Sequence, residues 1–113
     1  MTKNDWLEEF PNSIIVSNPE GVILEMNGVA AKDYEKLGGK GLIGSNMLDC
    51  HPEPARSKLV EMLKNRQSNI YITEKADVKK LIYQAPWTRN GEYAGFVELS
   101  LVLPEEMQHF VRG

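Results

Sequence analysis

LIYQAPWTRNGEYAGFVELSLVL, Leu81 to Leu103, reads as two antiparallel strands joined by a tight turn. Asn90-Gly91 carries the turn, because both central residues of a two-residue hairpin loop need positive φ and these types tolerate it. On either side the pattern has period two, the signature of a strand with distinct faces. Leu81, Tyr83, Ala85 and Trp87 alternate with Ile82 and Gln84. Tyr93, Gly95, Val97, Leu99, Leu101 and Leu103 alternate with Ala94, Phe96, Glu98, Ser100 and Val102. The first of these sets is the more apolar, so it is assigned to the core, and Glu98 to the outer face. Pro104 ends the strand.

Upstream, Ile70 and Ile72 alternate with Tyr71 and Thr73 as a further strand. Before it, Ala55, Leu59, Met62 and Leu63 fall at i, i+4, i+7 and i+8, one apolar stripe of a helix entered at His51-Pro52-Glu53-Pro54. Leu42 to Leu48 reads as short irregular helical turns. Asn27 suits a helix N-cap, and Gly38-Gly39 stops the helix it opens. Ser13 to Ser17 and Val22 to Met26 form a hairpin about Asn18-Pro19-Glu20-Gly21. Asn4 to Phe10 is a short amphipathic helix ended by Pro11. Strands grouped at both ends of a helical middle predict an α+β fold: a five-stranded antiparallel sheet with short helices on one face.

Bulk properties exclude several classes. A chain of 113 residues, 42% hydrophobic, is the size of one domain. Its net charge of −3 disfavours a nucleic-acid backbone as partner. No apolar run is long enough to span a membrane, and Asp5, Glu8 and Glu9 stand where a signal peptide needs apolar residues. The single cysteine, Cys50, allows no internal disulfide. The expectation is a cytoplasmic protein with no nucleic-acid or membrane partner.

Several strings then fall in a familiar order: Pro11-Asn12-Ser13-Ile14-Ile15-Val16 with Pro19-Glu20-Gly21-Val22-Ile23, Asn27 with Ala30 and Ala31, and Leu42-Ile43-Gly44. Leu48-Asp49-Cys50-His51-Pro52-Glu53 and Asn90-Gly91-Glu92-Tyr93-Ala94-Gly95 complete the series. Over Phe10 to Leu103 this order resembles the PAS family, and it implies an N-terminal amphipathic helix at 1–10, a PAS domain at 11–104 and a short tail at 105–113. The Cys50-His51-Pro52 string and the Glu98-Leu99-Ser100 strand resemble PAS domains of bacterial hemerythrin-linked proteins, which implies a bacterial source. Effector-driving members often end with Asp-Ile-Thr and a signalling helix. Here Val102-Leu103-Pro104 stands in that place, so a complete chain of this kind would report through protein contact rather than a covalent exit.

Catalytic and metal chemistry have little footing. No serine in a Gly-x-Ser-x-Gly setting, carboxylate pair or cluster of zinc ligands stands out, so no catalytic residue is assigned and an enzyme on an α+β scaffold is the remote alternative. Some PAS domains hold haem, which makes Cys50 and His51 weak axial-ligand candidates, against the expectation of no cofactor. Leu24, Met26, Tyr34, Met47, Leu59, Met62, Leu63, Tyr83, Val97 and Leu99 are expected between sheet and helices. They would wall either a cavity for a small apolar or heterocyclic ligand, made adaptable by methionine, or a closed filled core. Trp6, Leu7 and Phe10 with Ile82, Phe96 and Val102 are the expected homodimer face. The resemblance thus implies a sensor in signal transduction or transcriptional regulation, with a ligand-free dimerisation or docking module as the alternative.

Overall fold

The computed structural model describes residues 5–113. Its strands are β1 (Ser13–Ser17), β2 (Ile23–Met26), β3 (Asn69–Lys75), β4 (Val78–Arg89) and β5 (Glu92–Val102). They form one sheet in the order β2-β1-β5-β4-β3, every neighbouring pair antiparallel. The helices are α1 (Asp5–Glu8), α2 (Gly28–Asp33) and α3 (Ala55–Asn65), with 3-10 turns at Glu35–Leu37, Gly39–Leu42 and Met47–Cys50. The expected α+β architecture is therefore present.

Turn chemistry fixes the hairpins. Asn18 Oδ1 accepts from the amides of Glu20 (3.0 Å) and Val22 (2.9 Å), holding the β1–β2 turn closed over Gly21. Asn90 and Gly91 have φ of 53° and 82°, as the β4–β5 loop requires. The β3–β4 loop repeats that geometry on Ala76 (φ 51°) and Asp77 (φ 65°), residues that give no hairpin signal. Their strain is offset by the continuous pairing of Asn69–Lys75 with Val78–Gln84 beside it. Pro86 is tolerated within β4 because β3 begins opposite Gln84, leaving no strand on that side for its missing amide.

Asn27 ties the two ends of the sheet motif together. Buried to 1% exposure, its Oδ1 accepts from Ala30 N (3.0 Å), capping α2, and from Ile14 N (3.1 Å) on β1. Its Nδ2 donates to the carbonyl of Asn12 at 2.7 Å. The helix it opens is shorter than the sequence suggests: α2 stops at Asp33, and a 3-10 turn carries the chain to Gly38 (φ 120°). The α3 helix likewise starts at Ala55, not at His51, since prolines at 52 and 54 bar the residues before them from helical geometry. Glu53 takes over the cap, accepting from Ser57 N (3.0 Å) and Ser57 Oγ (2.7 Å).

Residues Asp5–Glu8 form one helical turn in place of the expected Asn4–Phe10 helix; Asn4 lies outside the described residues. Glu8 pairs with Lys40 and lies over Gly28, so α1 is anchored beside the first turn of α2. Trp6 is 70% exposed. No regular element follows Val102.

The faces of the sheet are opposite to expectation. The register pairs Pro86 with Phe96, Gln84 with Glu98 and Ile82 with Ser100, and β1 adds Ile15 opposite Glu98 and Ser13 opposite Ser100. This set faces the helices: Phe96 is buried against Met62 and Leu63. Tyr83, Leu99, Leu81 and Leu101 alternate with it and lie on the outer face. Periodicity defines two faces without saying which one the helices cover, and here they cover the less apolar one.

Candidate ligand cavity

Two small cores grip the space between sheet and helices. Ile23, Met26 and Ala30 form one, with Ile15 and Leu42 against it. Met62, Leu63 and Phe96 form the other, with Leu59 and Tyr93, and Met47 touches both. Tyr93 stands edge-on to Phe96 (centroids 6.3 Å apart) and donates from its hydroxyl to Leu63 O at 2.9 Å, fixing the second core to the end of α3. Between the two cores lies a cavity of about 100 Å³.

Its wall is mainly apolar: Ile15, Ile23, Met26, Leu37, Leu42, Met47, Leu59, Met62 and Phe96. Polar groups enter from the sheet, with Ser17, Gln84 and Glu98, and from the helical side, with Tyr34, Cys50 and His51. Asn69 Nδ2 donates to Gln84 Oε1 (3.1 Å), and Gln84 Nε2 donates to Glu98 Oε2 (2.7 Å). This relay runs from the edge strand inward and sets the amide of Gln84 with its donors toward the carboxylate. His51 Nδ1 lies 2.6 Å from Met47 O; a carbonyl only accepts, so Nδ1 bears the proton.

Beyond Glu98 the cavity opens into a polar cleft that includes Asp33, Tyr71, Lys80 and Ser100. Burial raises Tyr34 above the ordinary 10.0, and the charges of Glu98 and Asp33 push the same way. Tyr71 is raised by burial and then by Glu98. Glu98 therefore sits where its charge reaches both phenols.

Of the expected cavity residues, Met26, Tyr34, Met47, Leu59 and Met62 line it. Val97 borders it, although strand parity places its side chain on the other face. Leu24 is 39% exposed on β2, and Leu63 belongs to the second core. Tyr83 and Leu99 are on the outer face, for the parity reason above. Of the expected dimer face, Ile82 and Phe96 are buried under the helices and cannot meet Trp6, while Val102 is exposed at the sheet's end. Sequence reading missed Ser17, Gln84, Glu98 and Phe96 as cavity residues; the polar–apolar mixture on one face of β5 was the available signal.

A central five-stranded antiparallel sheet with β1 beside β5 and short helices over one face is the PAS fold. A PAS domain of a protein from Haloarcula marismortui superposes with a TM-score of 0.58 at 16% identity, covering 87% of this chain and 91% of that one. The Aer2 receptor of Vibrio cholerae, described as a dual PAS-haem oxygen sensor, gives 0.58 at 13% identity, covering 82% and 95%. The Vibrio cholerae VqmA dimer gives 0.60 at 16% identity, covering 96% of this chain and 55% of that one. No family model matches the chain, and no curated protein matches it either. Among the described residues no helix is long and apolar enough to cross a membrane.

Proposed function

We propose that this chain is a PAS sensor domain of bacterial, cytoplasmic signal transduction or transcriptional regulation, non-catalytic, taking a small molecule into the cavity between its sheet and helices. The observation that carries the reading is the cavity itself, an apolar chamber that opens onto convergent polar groups. For comparison, an engineered apolar cavity of ~150 Å³ binds benzene, so a chamber of about 100 Å³ takes one ring at most, with the rest of a ligand extending into the cleft. Native mass spectrometry of freshly purified protein should show a small adduct released on denaturation. A clean polypeptide mass, with methionine methyl NMR signals unmoved by small aromatic probes, would instead establish the ligand-free docking module.

Haem does not fit. Cys50 and His51 do line the cavity, and the His51 tautomer leaves Nε2 free to coordinate. A tetrapyrrole, however, is far larger than a chamber of about 100 Å³.

The contact surface in this reading is the outer sheet face, in place of the expected set. Ile70, Tyr83, Leu99 and Ile14 lie in one row across four strands, and Ile72, Leu81 and Leu101 in a second. Ile70, Ile72 and Tyr83 are 53%, 59% and 40% exposed, while Ile14 at the far end of its row is buried, so the open part of the face lies over β3 and β4. A continuous apolar face of this kind marks a protein contact, and we assign it to a second copy of the chain, as in a symmetric dimer.

A further inference from the structure

Resting on the cavity reading, we propose that the ligand is a single-ring amine, its cationic nitrogen held by Glu98 and a second polar group, at the opposite end of the ring, held by Ser17 Oγ. Ser17 is 2% exposed, lines the cavity, and its hydroxyl makes no hydrogen bond to any described residue. Buried hydroxyls are ordinarily hydrogen-bonded, so an orphan in a cavity wall is a group disposed toward a ligand. The Ser17 carbonyl accepts from Trp87 Nε1 at 3.0 Å, which fixes the backbone beside the hydroxyl.

Glu98 supplies the other end. Gln84 engages one carboxylate oxygen, and the amide of Gln84 is held in that sense by Asn69. The polar partner that the structure gives Glu98 is the amide of Gln84, not a cationic side chain; Lys80 and His51 share the adjoining cleft with it. A carboxylate on an apolar wall selects a cation or an N–H donor and repels an anion. In the adjoining cleft Asp33 adds to that sign and Lys80 opposes it, so the selection of a cation rests on Glu98 inside the chamber.

Spacing sets the shape. Glu98 lies opposite Ile15 on β1; Ser17 is two residues further along, past an irregularity in the β1–β2 register, and both line the cavity. At about 3.3 Å per residue along the strand and about 5 Å across, the two Cα atoms are on the order of 8 Å apart. A six-membered ring with polar groups at opposite ends spans such a gap, its faces against Met26, Met47, Met62 and Phe96.

The test uses a matched series: tyramine (cation), tyrosol (neutral), para-hydroxyphenylacetate (anion), phenethylamine (cation without the hydroxyl) and toluene. Binding is read from the methyl signals of Met26, Met47 and Met62 in intact protein, with Met107, 64% exposed in the tail, as control. Tyramine is expected to bind about tenfold tighter than tyrosol, a difference that Glu98→Gln abolishes, and tighter than phenethylamine, a difference that Ser17→Ala abolishes. Glu98→Gln retains an acceptor for Gln84, and thermal melts of both variants check folding; the wild-type rank order stands as a test regardless. Equal or tighter binding of tyrosol or para-hydroxyphenylacetate overturns the amine assignment. So does entry of toluene alone, which leaves the cavity reading standing. If toluene also fails to move the three methyl signals, the cavity reading falls with it.

Discussion

Asn27→Ala removes a side chain that holds β1, the approach to it and the start of α2 in one place. Three good hydrogen bonds vanish: from Ile14 N at 3.1 Å, from Ala30 N at 3.0 Å and to Asn12 O at 2.7 Å. The helix cap accounts for about 1 kcal/mol. The amide of Ile14, inside the sheet, and the carbonyl of Asn12 are left without partners at about 1–2 kcal/mol each. The expected loss is therefore about 3–5 kcal/mol, a large share of the ~5–15 kcal/mol that holds a domain together. At a urea m-value of about 2 kcal/mol/M the midpoint falls by roughly 2 M. Asn27→Ser separates the contributions, since serine can cap Ala30 but is too short to reach Asn12; it should recover about 1 kcal/mol of the loss. Equilibrium urea unfolding of the three proteins decides the matter. A loss under about 1 kcal/mol in the alanine variant, or full recovery with serine, would show that the bridge to β1 contributes nothing.

Gly95 has φ of 131°, and a Cβ there would sit inside the Ser17 carbonyl oxygen, so Gly95→Ala should cost about 2 kcal/mol or more and alter Trp87 fluorescence by releasing its Nε1 bond; a parent-like spectrum and melt would count against the close approach. Tyr34 titrates above 10.0 because of burial first, then the Glu98 and Asp33 charges. A raised folded pKa means stability that is fully present below the unfolded value near pH 10 and lost as pH rises through the folded one. Ultraviolet titration of Glu98→Gln should accordingly show both Tyr34 and Tyr71 ionising at lower pH than in the parent, and unchanged curves would remove Glu98 from their surroundings. On the outer face, Tyr83→Glu and Leu99→Glu should each reduce the mass seen by light scattering to that of one chain, whereas Trp6→Ala should not; a parent mass in both glutamate variants would refute the assigned contact.

The turns were legible because their chemistry is local. Asn90-Gly91 and the Asn18–Gly21 segment announce themselves through residues that tolerate positive φ or bond their own backbone. Ala76-Asp77 did not, since that turn is held by the pairing of seven residues on each side rather than by its own sequence. The helix start at Ala55 was misplaced because a proline early in a helix and a proline before one look alike. The largest error concerned β5, where the rule that the more apolar face is the core failed. Both faces carry large apolar residues, and the choice between them depends on which one α2 and α3 reach, a tertiary fact. The cavity's polar members were lost with it: Glu98 looked like an outward acid, and Ser17 like a strand end.

That inversion bears on function as well as on prediction. Stability alone would favour placing Val97, Leu99 and Leu101 under the helices, closing the space and leaving Glu98 and Ser100 in water. The chain does the reverse. It keeps a carboxylate, an amide and an orphan hydroxyl around an incompletely filled chamber, and lays its longest apolar rows across the outer face, where Ile70, Ile72 and Tyr83 are exposed. Each departure weakens the isolated domain, through buried polarity on one side and exposed hydrocarbon on the other. Both are offset, in the proposed reading, by their occupants, a ligand within and a protein surface without. In the proposed reading the two occupants meet at β5, where Glu98 points into the chamber and its neighbours Val97 and Leu99 point out. A displacement of Glu98 by ligand is thus one residue from the contact surface, and reciprocity requires that self-association and ligand affinity shift each other by the same factor.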